Sequence, residues 1–254
     1  MKSLSSTSVS RRQAIRLGLG SVAAAGVVAL AGCTDTSNDS TASNSSSSDS
    51  STSTDSTAST QIDKDAFDSL LAAGDVADDA TVSGSTWAQK IKDAGKFRLG
   101  GVQTSTLFAS LDETDNKLRG FDAGLAQLLV RYILGDESKY EFTKVTSDTR
   151  ESVLQNDQVD AVFATYSITD KRKEVISFAG PYYSTQQGIL VLADNSDISS
   201  VDDLAGKTVA AQSGSTGPSI LAEYAPTATV QEFTTDEEAR TALEQGRVDA
   251  YVID

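Results

Sequence analysis

The side chains best placed to do chemistry in this sequence are Arg172 and the polar loop Gln212-Ser213-Gly214-Ser215-Thr216-Gly217. Thr169 sits where a helix N-cap would, with Asp170 in the first turn, so Arg172 falls near the third helical position. A cation there opposes the positive end of the helix dipole by about 0.3–1 kcal/mol, and it is better explained if an anion such as a ligand carboxylate joins it. The alternative is a solvated arginine on a charged helix start. The 212–217 loop holds glycines and precedes Pro218, a residue suited to the first position of a helix. Its backbone N–H groups could cradle an anion, or the loop could be a plain turn. It lacks the Gly-Lys-Ser/Thr ending of a phosphate loop.

Composition removes most other chemistry. The 254 residues contain no histidine and one cysteine, Cys33. Histidine triads, histidine acid–base work, histidine-held metal, intrachain disulfides and CxxC sites are all excluded, and no metal or cofactor is expected. The formal net charge is −15, and Lys2, Arg11, Arg12 and Arg16 all precede Cys33 in a stretch without acids, so the rest is more acidic still. That balance argues against nucleic acid and against electrostatic docking on anionic lipid.

The elements that must position these residues follow in chain order. Residues 1–33 read as a targeting segment, with basic residues ahead of an apolar run too short for a spanning helix. Residues 34–60 are Ser, Thr, Asp and Asn with two alanines. They cannot bury enough apolar surface to order themselves and are expected to form a tether reaching about 30 Å. Residues 61–95 carry a weak helical pattern, an N-terminal extension in which Trp87 is expected as a buried anchor. Strands are expected at 99–102, 140–145, 161–164, 188–192, 208–211 and 248–253, and helices at 121–133, 149–156, 201–204 and 235–245. Phe121, Leu125, Leu128, Leu129, Tyr132 and Ile133 are expected to form the apolar face of the 121–133 helix, and Ala239, Ala242 and Leu243 that of 235–245. The β-α-β-α-β-α order from Leu99 is that of a doubly wound open sheet. Gln-Asn-Asp-Gln-Val-Asp-Ala ending at Ala161 and Glu-Gln-Gly-Arg-Val-Asp-Ala ending at Ala250 echo one another, as two lobes of like topology would.

Several of these motifs together resemble the extracytoplasmic solute-binding proteins of family 3, which serve ABC importers of polar amino acids. Ser167-Ile168-Thr169-Asp170-Lys171-Arg172, Gly180-Pro181-Tyr182-Tyr183 and Gly120-Phe121-Asp122 match that family's signatures in order, with Gly124 where a second acid is common. The resemblance spans about residues 97–254. It is closest to Gram-positive glutamate-binding lipoproteins, through Ala164-Thr165-Tyr166-Ser167-Ile168 and Ser213-Gly214-Ser215-Thr216. Leu30-Ala31-Gly32-Cys33 resembles a lipobox, and Ser10-Arg11-Arg12-Gln13-Ala14-Ile15 a twin-arginine signal; an ordinary signal peptide with an incidental cysteine is the alternative.

The resemblance implies a two-lobed, type II periplasmic-binding-protein-like α/β fold. Each lobe is an open, mostly parallel sheet flanked by helices, the first over 96–183 and the second, incomplete, over 184–254. The chain is then expected to lack several tens of C-terminal residues, leaving an unpaired strand edge and uncovered apolar faces. The implied function is binding of a polar amino acid between the lobes and delivery to a permease, by a monomer anchored outside the cytoplasm through lipid on Cys33. The implied α-carboxylate ligands are Arg172, Ser167 and the Thr216 N–H, and the implied ammonium ligands are the Thr165 carbonyl and Asp254. A zwitterion needs a cation at one end and an anion at the other, and such bonds offset desolvation only when both ends are paired. Arg150 lies on the crevice rim, where glutamate and aspartate binders of the family tend to carry an arginine for the side-chain carboxylate, so glutamate is the expected ligand. The alternative for Arg150 is a surface ion pair with Asp148 or Glu151. Rival functions are binding of another amino acid such as glutamine, an enzyme on the same fold such as a cyclohexadienyl-type dehydratase, and the sensor lobe of a receptor.

Overall fold

The computed structural model describes residues 61–254, all within one unit, Ser56–Asp254. The expected signal segment, Cys33 and the whole of the tether therefore lie outside the described residues. Three helices come first, α1 (Lys64–Ala72), α2 (Asp79–Ser83) and α3 (Thr86–Ala94), each started by a side-chain cap from Asp63, Asp78 or Ser85. Trp87 on α3 is 40% exposed, not buried; its ring edge meets Phe97 at 5.8 Å and its indole N–H donates to Asp160 O. The polar indole nitrogen keeps this side of the ring at the surface.

The first sheet is built around β1 (Phe97–Gly101), whose Phe97 and Leu99 are fully enclosed by Ile91, Ala126, Val130 and Ile133. Between β1 and the next helix the chain makes a small antiparallel meander, β2 (Thr104–Ser105), β3 (Ala109–Asp112) and β4 (Lys117–Arg119), where only a polar turn was expected. Its strands are short and largely polar, so they carry little alternation to read. Helix α4 (Phe121–Leu134) then starts at Gly120, whose φ is +134° and where a Cβ would stand 2.2 Å from Phe108 O. Only glycine fits there.

Helix α4 turns a different face inward from the one the leucine spacing suggests. Its buried residues are Asp122, Ala123, Gly124, Ala126, Gln127, Val130 and Ile133, while Phe121 and Tyr132 are about 40% exposed. Small residues let the helix lie close to the sheet and meander, and Gln127 satisfies its amide on the carbonyls of Leu118 and Ala123. Strand β5 (Tyr140–Lys144), helix α5 (Arg150–Gln155), strand β6 (Ala161–Phe163) and the single turn α6 (Asp170–Lys173) complete this lobe. The order is β5-β1-β6, all parallel, with β1 in the centre and β5 and β6 at the two edges. Beside β6, Tyr182 and Tyr183 are 43% and 53% exposed.

The second sheet has the order β7-β10-β8-β9. Strand β7 (Gly188–Leu190) is followed by a 3-10 turn (Val201–Leu204), β8 (Thr208–Gln212), α7 (Gly217–Tyr224), β9 (Thr229–Phe233), α8 (Asp236–Glu244) and β10 (Ala250–Ile253). Only β7 runs antiparallel. The capping box of Thr235 and Glu238 starts α8, which buries Ala239, Ala242 and Leu243 against Ala210, Val248 and Tyr251. Strand β9 was not anticipated; it is an outer strand with much of its surface in solvent, so its sequence does not alternate cleanly. In both lobes the parallel strands β1, β5, β6 and β8 end toward the loops that carry Thr146–Arg150, Thr165–Arg172 and Ser213–Thr216. Open α/β sheets bind ligands at that end.

Candidate ligand-binding site

Strand β6 ends at Phe163, and the chain leaves it through Ala164, 1% exposed, and Thr165, held at φ +44°. Positive φ is unusual for a residue with a branched side chain. Here it is held by Asp122, the second residue of α4, whose Oδ2 accepts from the Thr165 N–H at 2.6 Å while Oδ1 accepts from the Tyr182 hydroxyl at 3.2 Å. Asp122 is fully buried, and burial pushes its carboxyl upward, partly offset by those two donors.

Thr169 caps α6, its hydroxyl accepting from Arg172 N. The Arg172 side chain folds back, with Nη1 donating to Ser167 O and Nη2 to Gly214 O, each at 2.9 Å, and is 8% exposed. Gly214 belongs to the other lobe, so Arg172 joins the two. Arg150, the first residue of α5, is 3% exposed. Its Nη1 donates to Ala164 O at 2.8 Å, its Nε is buried without a partner, and no carboxylate lies within ion-pair distance of it among the described residues. Burial first, and the charge of Arg172 second, pull its guanidinium down to about 10. The surface ion pair with Asp148 or Glu151 is therefore not formed.

Both guanidinium groups lie over the Tyr166 ring, at 3.9 and 4.3 Å from its centre, and the Tyr166 hydroxyl donates to Glu151. Burial and Glu151 push that phenol up to about 12. Stacking on an aromatic face holds a cation without using its N–H donors. The N–H groups not already spent on Ala164 O, Ser167 O and Gly214 O stay available for an anion or an amide.

The second lobe supplies the 213–216 loop. Gly214 has φ +70°, and a Cβ there would meet Asp148 Oδ1 at 2.5 Å, so glycine lets this loop close onto the 146–150 segment. Ser213 Oγ donates to Asp148 Oδ2 at 2.7 Å, a second direct bond between the lobes. Ser167 Oγ donates to Asp254 Oδ2 at 3.1 Å, a third. Thr216 precedes α7 and its hydroxyl accepts from Gln187 Nε2 at 3.3 Å, leaving Gln187 Oε1 buried with no partner. Pro218 is the second residue of α7, one place later than expected.

A cavity of about 30 Å³ lies between the lobes, and Arg150, Thr165, Ser167, Thr216 and Asp254 all line it, with Gln187. Five of the six expected ligand residues therefore meet in one place. Arg172 stands outside that wall, its guanidinium engaged on Ser167 O and Gly214 O. A cleft of about 1200 Å³ shares Thr165, Ser167, Gln187, Thr216 and Asp254 and opens toward Phe163 and Tyr182. Among the described residues there is no group of three or more metal-ligating side chains, and no helix long and apolar enough to cross a membrane.

The sequence pattern of the bacterial extracellular solute-binding proteins, family 3, matches residues 98–251. The chain belongs to that family. It is 39% identical over 175 residues to the glutamine-binding protein of Geobacillus stearothermophilus, covering 68% of this chain and 66% of that one. It is 36% identical over 149 residues to the glutamate-binding protein of Corynebacterium efficiens, covering 57% and 51%. Among solved structures it resembles an ancestral amino acid-binding protein, a precursor of cyclohexadienyl dehydratase, at TM-score 0.62 and 33% identity, covering 66% of this chain and 73% of that one. The chain thus spans less than two thirds of the length of these curated relatives.

Within this family-3 protein, three residues that matter to the geometry were not singled out from the sequence. Asp122 appears there only as part of Gly-Phe-Asp, with nothing to say that its carboxylate reaches Thr165. Tyr166 is an aromatic residue between two small polar ones, a pattern that does not announce two stacked arginines. Gln187 sits in a polar stretch, Ser184-Thr185-Gln186-Gln187, without a signal of its own.

Proposed function

We propose that this protein binds a polar L-amino acid between its lobes outside the cytoplasm and delivers it to an ABC importer, and that glutamine is preferred to glutamate. Arg172, Ser167 and the Thr216 N–H hold the α-carboxylate. The Thr165 carbonyl and Asp254 hold the ammonium. The lobes, 96–183 and 184–254, close around the ligand, which binds the closed form better and shifts the population toward it.

The observation that carries the preference is the pair of unsatisfied buried atoms around the cavity, Arg150 Nε and Gln187 Oε1. One is a donor and the other an acceptor. A side-chain carboxamide offers an acceptor and a donor and satisfies both without moving either side chain; a carboxylate offers only acceptors and is met only if the Gln187 amide turns over, with the Thr216 hydroxyl then donating to Oε1. This supports glutamine over the glutamate expected from Arg150 alone. The 39% identity to a glutamine-binding protein is in keeping with it. Calorimetry with both ligands tests the preference. Glutamine is expected to bind at least about tenfold tighter, and Gln187→Glu should weaken glutamate further while sparing glutamine, because a second anion faces the carboxylate. Tighter wild-type binding of glutamate would return the assignment to a carboxylate held by Arg150. Recovery of unaltered glutamine by mass spectrometry after prolonged incubation is expected of a binder; turnover would favour the enzyme reading.

Anchoring rests on the sequence of residues 1–33. Lipid on Cys33 would hold the domain at the membrane as a monomer, so Cys33→Ala should move the protein from the membrane to the soluble fraction with its thermal unfolding unchanged. A mutant that stays with the membrane would sink the lipid anchor.

A further inference from the structure

Two buried charges in this site lack an ion-pair partner. Asp122 is fully buried at the start of α4, and Arg150 is 3% exposed at the start of α5. A buried charge without compensation is strongly unfavourable, so a fold that keeps one must answer it some other way. Here both charges touch the same peptide unit. The group between Ala164 and Thr165 gives its N–H to Asp122 Oδ2 at 2.6 Å and its carbonyl oxygen to Arg150 Nη1 at 2.8 Å. The N–H and C=O of a trans peptide point in opposite directions, so the anion and the cation sit at the two matching ends of one dipole. Each bond polarises the peptide in the sense that strengthens the other.

We propose that Asp122 is a positioning residue for ligand recognition: it fixes the Ala164–Thr165 peptide and through it the guanidinium of Arg150. The proposal deepens the amino-acid reading of the same cavity and rests on it for its effect on binding. Three features fit it. Thr165 is at φ +44°, a conformation it would leave for the extended region without an acceptor for its N–H. Ala164 O is the hydrogen-bond acceptor of Arg150, so a turned peptide releases the guanidinium. The Tyr182 hydroxyl on Oδ1 holds the Asp122 carboxylate in its own place, so the Gly-Pro-Tyr segment is tied to the same set of contacts.

The test uses the whole chain, without ligand and with L-glutamine. In the ligand-free protein, NMR signals of the Arg150 guanidinium, assigned by their loss in Arg150→Ala, and hydrogen exchange at the Thr165 amide report the two bonds directly. In Asp122→Ala the guanidinium signal should move and Thr165 exchange should quicken; Asp122→Asn, whose amide oxygen still accepts, should restore most of both. By calorimetry, Asp122→Ala should weaken glutamine about tenfold or more in the wild type but less than about threefold in the Arg150→Ala background, because residues acting through one another are not additive. An unmoved Arg150 signal in folded Asp122→Ala, or an equal loss of affinity in both backgrounds, would overturn the proposal. Should Asp122→Ala fail to fold, the reciprocal measurement decides: Arg150→Ala must quicken exchange at Thr165, and unchanged exchange overturns the coupling. If the wild type binds neither glutamine nor glutamate, the amino-acid reading fails, while the guanidinium signal and the exchange rate still decide the peptide coupling.

Discussion

Replacing Arg172 by alanine is expected to cost glutamine binding about 3–5 kcal/mol, a loss of hundreds- to thousands-fold, because it removes the cation from a buried carboxylate. In the protein as it stands this guanidinium is held by Ser167 O, Gly214 O and the face of Tyr166. It thus bridges the two lobes beside the cavity rather than lining it, and the N–H groups not spent on those carbonyls are the ones a carboxylate would take. Arg172→Lys keeps the charge but not the planar fork, so it should fall between the wild type and alanine. Calorimetry measures the loss, and circular dichroism shows whether the domain is intact. A loss of less than tenfold in a folded Arg172→Ala protein would mean that the α-carboxylate is bound elsewhere.

The second large effect is expected at Arg150. On the proposed reading the interaction is between a cation and a neutral carboxamide, worth about 1.5–3 kcal/mol, so Arg150→Ala should weaken glutamine by roughly ten- to a hundredfold. Glutamate, a charged partner, should lose more, about 2–5 kcal/mol. The comparison of the two ligands in one mutant therefore measures how each side chain uses the same guanidinium. An equal loss for both would show that Arg150 contributes only to the shared zwitterion. The ligand-free domain is expected to lose little stability, because the folded protein holds this cation against its preference for water, as its lowered proton affinity shows.

Much of this arrangement could be read from local signals. The helices at 149–156 and 235–245 were expected and are present, and the Thr169 cap depends on a side chain next to the backbone it binds, so a short window of sequence contains the whole cause. The meander and β9 were missed because short, polar or outer strands have no alternation to read. The face of α4 was misread because leucines were taken for the core, when a buried acid and several small residues fill the inner side. The site divides the same way. Arg150, Thr165, Ser167, Thr216 and Asp254 were placed by motif and do line one cavity. Asp122 and Gln187 act across distances of 43 and 29 residues, and no local pattern encodes such a meeting.

The bond between Ser213 and Asp148 has a consequence for how such a protein is tuned. It joins the lobes without touching the cavity, as neither residue lines it. On the proposed mechanism, the fraction of molecules already joined multiplies the affinity for every ligand alike, since the apparent Kd is the intrinsic one divided by that fraction. Each 1.4 kcal/mol withdrawn from the joined form, while that form is the minor one, therefore raises the working concentration about tenfold. The order of preference among ligands stays where, on the proposed reading, Arg150 and Gln187 set it. On that mechanism sensitivity and selectivity are set by different residues, so a change at position 148 or 213 would match the protein to a richer or poorer surrounding while it went on choosing the same nutrient.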